Sequence, residues 1–519
     1  MYVTLFIFVT LSIDINYLTF IQLDLIKEIS NTFSKKTQKN FIKFFTRKRP
    51  SSFRKDVKLF EELIIHYNSN SYKKITYKGD PNYHAIRKRI TKELINFLIL
   101  ENKEDKVKSK STDGMLTLAK YFVDFKKYSE AWALLTKEEK KASNSNDYLT
   151  GLKIQRLKLN ILPYYTNGDF TLIKKNILKL QKKQAKVDEF QLYFIQMKNL
   201  LIEKIKNGDV SFSEKDFISG FEDFENLKHE IIDPEIHLKN IEIIRVQYAI
   251  EKNYNDLVII LENYYEQLKI ENNNINHLKY YANIEYIMSY TYLEVRDFVK
   301  SKKHLNKLKL LMDQEDKIFY SYLGRYTGID SFVKVFDNQI IEGIDSIKNT
   351  LENHYAVLNL REELNLLLNL SALLLVNQNI KKSNQVINKL NKSDVYYQEN
   401  MGREWLLRKE MIRTLILIDL THIDLAEKNI RSIKNKYLDL FPTKQYKMVV
   451  PFIKALEKFI NEPERARIEE LNYILKELNF KKEKVFRDPR LIMFFSWIKS
   501  KYTNKKTYKI LLNEYHSLK

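Results

Sequence analysis

Apolar residues recur every three or four positions through most of the chain, the spacing that lines one face of an α-helix. Between residues 24 and 101 the pattern predicts three helices. The first carries Leu25, Ile29 and Phe33 and continues past Ser34 through Phe41, Phe44 and Phe45. Arg47-Lys48-Arg49-Pro50 stops it, because the residue before a proline is pushed out of the α region. Val57, Leu59, Phe60, Leu63 and Ile64 mark a second helix, and Ile86, Ile90, Leu94, Phe97 and Leu98 share one face of a third. Residues 102–114 hold one apolar residue, Val107, among charged and polar ones, and read as a charged linker at a domain boundary.

Beyond the linker, amphipathic segments alternate with short polar turns, each followed by an apolar residue that opens the next helix. These anchors are Tyr128, Phe170, Val210, Tyr254, Phe298, Ile340, Ile380 and Ile423, spaced by 42, 40, 44, 44, 42, 40 and 43 residues. A near-fixed period of roughly 20–50 residues is the mark of stacked supersecondary units. Three positions past the anchor the residue is often small, as at Ala131, Ser301, Gly343, Ser383 and Ala426, although Ile173, Ser213 and Leu257 loosen the rule. Nearly one helical turn separates the two positions, so anchor and small residue are expected on one buried face. A small side chain there would let two helices approach closely.

Leu118-Ala119, Phe125-Lys126-Lys127-Tyr128-Ser129-Glu130-Ala131, Leu134-Leu135 and Ala142 together resemble the junction between the two helices of a tetratricopeptide repeat. The rhythm extends over residues 115–479, whereas the likeness in residue type is confined to the first unit and, more weakly, to the surroundings of Ala426. The units are longer than the roughly 34 residues of that family. A small basic helical module ahead of tetratricopeptide-like repeats also resembles an arrangement found in bacterial proteins, which implies no activity. The expected fold is therefore all-α: an α-solenoid of stacked helical hairpins with a period of about 42 residues, preceded by a basic module. Residues 480–519 are expected to cap its open end, with Arg487-Asp488-Pro489 turning into a final helix that carries Leu491, Ile492, Phe494, Phe495 and Trp497.

Composition supports the helical reading, with only 10 Gly and 8 Pro in 519 residues, since β-rich and nucleotide-binding folds need glycine at turns and phosphate loops. Cysteine is absent, which removes disulfides, thiolate metal sites and cysteine nucleophiles and fits a reducing, cytoplasmic setting. Two apolar stretches bear on membranes. Residues 1–23 read as a leader without a basic n-region or cleavage site, interrupted by Asp14 and Asn16. Leu364 to Val376 is too short to span a bilayer and carries Asn365, Asn369 and Ser371, so a helix buried between neighbours is expected there. A membrane-associated assembly would rest on Tyr2 to Ile13 alone and is not the expected reading.

Phosphate-loop, dinucleotide, zinc-protease and nucleophile-elbow motifs are missing, and no two of the nine His stand four apart. The expectation is a non-catalytic protein with no cofactor and no metal. The sharper chemistry lies at residues 24–101, where 18 Lys plus Arg face 8 Asp plus Glu in a chain of net charge +22. Arg47, Lys48, Arg49, Arg54, Lys55, Lys73, Lys74, Arg87, Lys88 and Arg89 form a candidate face for an anionic partner, with aromatics such as Phe44, Phe45, Tyr72, Tyr77 and Tyr83 interleaved for stacking. About fourteen residues separate the second and third helices, too many for the compact turn of about three or four in a helix-turn-helix. In the repeats, Tyr164, Tyr165, Tyr264, Tyr265, Tyr280, Tyr281, Tyr286 and Tyr290 are candidates either for core packing or for an exposed peptide-binding wall. The function expected is a scaffold or adaptor binding a protein or peptide on the repeat surface. The alternative is a nucleic-acid-binding regulator that uses residues 24–101 and senses through the repeats.

Overall fold

The computed structural model describes residues 26, 29–30, 33, 35–47, 54–68, 81–108, 112–165, 168–209, 234–251, 253–271, 278–442, 446, 449–461, 489–503 and 505–516. Among these, 21 α-helices and two short 3-10 turns account for the regular structure, and there is no strand. The chain divides after Gly114 into two compact units.

The first unit contains α1 (Lys35–Arg47), α2 (Lys55–Asn68) and α3 (Tyr83–Lys108). Ile26, Ile29 and Ser30 are helical, as the periodicity predicts, but Phe33 is not, and α1 starts beyond it at Lys35. Phe33, Phe41, Phe45, Leu59, Phe60, Leu63, Ile86, Ile90, Leu94 and Phe97 form the core. Phe41 sits at its centre, edge-on to Phe60 at 4.8 Å and to Phe97 at 5.4 Å. Helix α3 does not stop at residue 101: it continues through the first half of the stretch read as a linker. Lys, Glu and Asp at three- and four-residue spacings suit a solvated helix as well as a loop, so charge density alone did not mark a break.

The second unit runs through α4 (Thr112–Asp124), α5 (Tyr128–Asn144), α6 (Tyr148–Ile161), α7 (Phe170–Asn207), α8 (Pro234–Glu251) and α9 (Tyr254–Glu271). It continues with α10 (Leu278–Glu294), α11 (Phe298–Gln314), α12 (Asp316–Phe336), α13 (Ile340–Asn353), α14 (Leu360–Val376) and α15 (Ile380–Ile387). The last helices are α16 (Asp394–Met401), α17 (Arg403–Asp419), α18 (Ile423–Lys436), α19 (Val449–Asn461), α20 (Pro489–Thr503) and α21 (Thr507–His516). Seven of the eight anchors are the first residue of a helix, and Val210 lies outside the described residues. The anchors are not the core, however. Only Ile340 is buried, while Phe170 and Ile423 are exposed. The buried position is the one three residues on: Ala131, Ser301, Ser383 and Ala426 are fully enclosed.

One turn recurs before the anchors. Lys126, Arg296, Asn338, Gln378 and Thr421 each adopt a left-handed backbone, two residues ahead of Tyr128, Phe298, Ile340, Ile380 and Ile423. The next N–H then bonds back to the carbonyl five residues earlier: Lys127 to Phe122 (2.8 Å), Asp297 to Tyr292 (2.9 Å), Gln339 to Lys334 (2.8 Å), Asn379 to Leu374 (2.8 Å) and His422 to Leu417 (2.9 Å). This bond is the Schellman closure of a helix end. It reverses the chain within three residues, so α10–α11, α12–α13, α14–α15 and α17–α18 pack as successive pairs.

Those pairs cross at small residues twelve apart in sequence. Ser289 and Ser301 exchange hydroxyl-to-carbonyl hydrogen bonds of 3.0 and 2.8 Å, and Ser371 and Ser383 repeat the exchange at 3.2 and 2.7 Å. A Cβ on Gly343 would stand 2.7 Å from the Ser331 carbonyl oxygen. Ala119 and Ala131, and Thr414 and Ala426, are buried at the same spacing. Close approach of two helix backbones requires such side chains on both partners. The reading of one small residue per repeat therefore found half of each crossing.

Two long-range features were not expected. The end of α7 seats on the start of α17. Gly402, at φ +88°, leaves room that a Cβ would take from the Ile205 carbonyl oxygen. Next to it, Arg403 donates to the Asn207 carbonyl (3.3 Å), the Lys436 carbonyl (2.8 Å) and both carboxylate oxygens of Asp439 (2.6 and 2.8 Å). The C-terminal helices also do more than cover one open end. Tyr515 donates to the Arg296 carbonyl (3.0 Å), Tyr508 to the Val335 carbonyl (2.6 Å) and Trp497 to Asp419 (2.9 Å). They thus lie across the turns that follow α10, α12 and α17. Helix α14 is buried nearly all round, as expected for Leu364 to Val376, and no helix among the described residues is long and apolar enough to cross a membrane.

Candidate functional site

In the first unit the basic residues separate into structural and exposed groups. Arg54 belongs to the scaffold: it chelates the buried Asp56 carboxylate through Nε (2.9 Å) and a terminal nitrogen (2.8 Å), donates to the Phe45 carbonyl (2.7 Å), and lies over the Phe45 ring. Burial pushes the Asp56 pKa up, but the hydrogen bonds and charge of Arg54 outweigh it and hold the group below its ordinary value. Arg89 reaches the same carboxylate at 3.5 Å while staying exposed. Arg87 points back to the Tyr83 hydroxyl (3.3 Å). Arg47, Lys55 and Lys88 are exposed, and Lys48, Arg49, Lys73 and Lys74 lie outside the described residues.

The interleaved aromatics are largely committed to packing. Phe45 is core, and Phe44 and Tyr83 pack against it; Tyr72 and Tyr77 lie outside the described residues. What does remain on the surface is a stripe along α1, Lys36, Lys39, Lys43 and Arg47, all exposed. Spacings of three and four place them on one helix face.

In the second unit the tyrosines divide in the same way. Tyr264 and Tyr280 are buried in the core, and Tyr165 stacks on Trp132 at 4.7 Å. Tyr265 donates to Glu285 (2.7 Å), whose other oxygen holds His304 Nδ1 at 2.6 Å, a buried polar knot between α9, α10 and α11. Tyr286 and Tyr290 instead line a cleft of about 320 Å³. Its walls come from the first helices of four successive pairs: α10 (Tyr286, Tyr290, Glu294), α12 (Arg325, Gly328, Phe332), α14 (Glu362, Asn365, Asn369) and α17 (Arg408).

The cleft mixes charge, amide and ring. Arg325 is stacked between Tyr286 (5.4 Å) and Tyr322 (5.7 Å), with its Nε 3.4 Å from Glu362. Glu362, in the first turn of α14, is the reciprocal partner of the Asn359 cap. Burial raises its pKa, and the nearby Arg325 charge offsets only part of that rise. Burial likewise pushes the Tyr322 hydroxyl up to about 12. Trp405 donates its indole N–H to Asn365 Oδ1 (3.1 Å), which fixes the amide with its NH₂ group available to the cleft. Arg408 Nε is buried without a hydrogen bond among the described residues, 4.0 Å from a Glu404 carboxylate oxygen, and the Arg325 contact to Glu362 is to its Oε1. Beside the cleft, Met493, Phe494 and Leu511 from α20 and α21 cover a recess that shares Phe332, Asn369 and Arg408 with it.

Sequence reasoning singled out Tyr286 and Tyr290 but missed Arg325, Gly328 and Arg408. It met Asn365 and Asn369 only as interruptions of an apolar run. The available signal was a pair of glycines, Gly324 and Gly328, inside one helix of a chain with 10 Gly in total. Among the described residues no three His, Asp or Glu side chains converge on a metal position. No protein-family model, curated protein or solved structure matches the chain.

Proposed function

We propose that the protein is a non-catalytic interaction scaffold of the cytoplasm, built on a tetratricopeptide-like array of helical hairpins with a period of about 42 residues, and that it grips a protein or peptide partner in the cleft of α10, α12, α14 and α17. The recurring left-handed turns and the small-residue crossings twelve apart support the array. The observation that carries the binding role is the composition of the cleft: four successive first helices contribute half-exposed Tyr, Phe, Arg and Asn side chains to one opening. Tyr and Arg on a preformed wall are the residues that supply most binding energy at interfaces. The test is in-cell cross-linking, reconstitution with the purified partner, and hydrogen exchange on the complex. Protection should fall on α10, α12, α14 and α17. A reconstituted complex that protects none of these helices would sink the reading.

The exposed stripe Lys36, Lys39, Lys43 and Arg47 favours a second reading, a nucleic-acid-binding regulator that contacts phosphates through α1. Four phosphate contacts imply that log affinity falls by about 3.6 per log unit of salt on duplex DNA. A fourfold charge reversal along the stripe should remove both binding and slope. A flat salt response of the full chain would discard this reading.

A further inference from the structure

We propose, resting on the scaffold reading, that the cleft recognises an extended polypeptide by its main chain, with the peptide backbone crossing α12 at Gly328. Glycine inside a helix is unfavourable and needs a reason. At Gly324 the reason is packing, because a Cβ would stand 2.7 Å from the Glu362 side chain. At Gly328 no atom lies within 4 Å of the Cβ position. Among the described residues nothing uses the space, and Gly328 lines the cleft together with Tyr290, Asn365 and Arg408. A missing side chain lets another backbone lie against the helix.

The polar groups select the same ligand. The cleft presents two cations, Arg325 and Arg408, and two buried carboxyl groups, Glu294 and Glu362. A phosphate or free carboxylate would meet the glutamates, and an ammonium group would meet the arginines. A peptide bond is neutral and brings both an acceptor and a donor. Its C=O suits Arg408 Nε and the Asn365 NH₂ group; its N–H suits the Glu362 carboxylate, whose Oε1 has Arg325 Nε at 3.4 Å and keeps further acceptor capacity. Tyr286, Tyr290 and Phe332 then flank the segment as apolar walls, which favours small or apolar side chains on it. The neighbouring recess, which shares Phe332, Asn369 and Arg408, is covered by polypeptide of the chain itself, the α20–α21 pair.

The experiment is selection of random-sequence dodecapeptides against the full chain, then titration of the synthesised peptides against wild type, Gly328→Leu, Arg408→Gln and the exposed control Val299→Ser. Gly328→Leu fills open space and replaces a helix breaker, so it should fold with an unchanged or raised melting temperature. It is expected to weaken peptide binding by about tenfold or more, equal to about 1.4 kcal/mol, with Arg408→Gln also weakened and Val299→Ser unchanged. N-methylation at one or two central peptide residues should cost about as much, and amidating the peptide C-terminus should cost little. Equal binding to Gly328→Leu, loss on amidation without sensitivity to N-methylation, or no peptide selected would each overturn the proposal. The scaffold reading stands or falls separately, on whether a folded partner protects α10, α12, α14 and α17.

Discussion

Adding one methyl group should have opposite effects at two glycines that lie fifteen residues apart in the same hairpin. Alanine is favoured over glycine in a helix by about 0.5–1 kcal/mol. At Gly328 no atom within 4 Å opposes the new Cβ, so Gly328→Ala should gain that full amount. At Gly343 the Cβ would stand 2.7 Å from the Ser331 carbonyl oxygen and 3.2 Å from Val335 Cγ2. The oxygen belongs to the main chain of α12, so α12 and α13 must part by about 0.7 Å to restore an ordinary contact. Forcing a packed core apart costs about 1–3 kcal/mol, which exceeds the helix gain. Gly343→Ala should therefore lose about 1–2 kcal/mol, and the two variants should differ by about 1.5–3 kcal/mol. Urea titration followed by tryptophan fluorescence reads this directly, because Trp405 and Trp497 share a core with Ile340, Ile344 and Ile347. A chain of this many helices can unfold in stages, so the stage reported by these tryptophans is the one to compare. Shifts of the same sign at both positions would refute the close crossing.

Three further outcomes are expected. Gly402→Ala should cost about 2–4 kcal/mol, because φ +88° with ψ 165° is a glycine-only conformation and the Ile205 carbonyl stands in the way; hydrogen exchange at the end of α7 should rise with it. Thr421→Gly should raise stability by about 1 kcal/mol, since a β-branched residue at φ +60° is strained, and calorimetry of the full chain would register the gain. In the first unit, the depressed Asp56 pKa makes its ion pair stabilising above the ordinary carboxylate range and lost as pH falls through the lower folded value. Exchange protection of α2 should drop below about pH 4. Asp56→Asn should abolish that step and cost about 1–3 kcal/mol at neutral pH, since Arg54 would be left only 14% exposed without its charge partner.

How much of this was legible in the sequence depends on how local the cause is. Helix starts at Tyr128, Phe298, Ile340, Ile380 and Ile423 were readable because the reversal is set within a few residues. The left-handed position itself was hidden, as Lys, Arg, Asn, Gln and Thr occupy it where glycine would have announced it. The small residues after the anchors were visible, but their partners one helix earlier, Ser289, Ser331 and Ser371, look like ordinary polar positions until the helices are paired. The seat of α7 on Gly402 joins segments nearly two hundred residues apart, and no periodicity encodes it. Charge was the least reliable guide. It suggested a break where α3 continues, and it placed Arg54 on a binding face when the side chain is tied to Asp56 and Phe45.

The cleft gathers polar residues from helices whose surroundings are otherwise apolar. Helices such as α13 and α18 have one enclosed face and one solvated face, so their charged residues need no explanation. Helix α14 is different: its flanks are enclosed by neighbours, and Leu364, Leu366, Leu367, Leu368 and Leu370 are all buried. Within that apolar surround, Glu362, Asn365 and Asn369 follow at three- and four-residue steps, which confines them to a single stripe. Glu362 answers the Asn359 cap and the exposed Asn365 accepts from Trp405, whereas leucine at the half-buried Asn369 would add apolar burial and remove the desolvation of an amide. The stripe faces Arg325 and Gly328 on α12 and Arg408 on α17, each itself a departure from apolar packing. Departures from the best packing that gather on one opening, from helices that are distant in sequence, have a common cause. On the proposed reading a peptide that shares the opening supplies it, and filling Gly328 should then stabilise the fold while removing peptide binding.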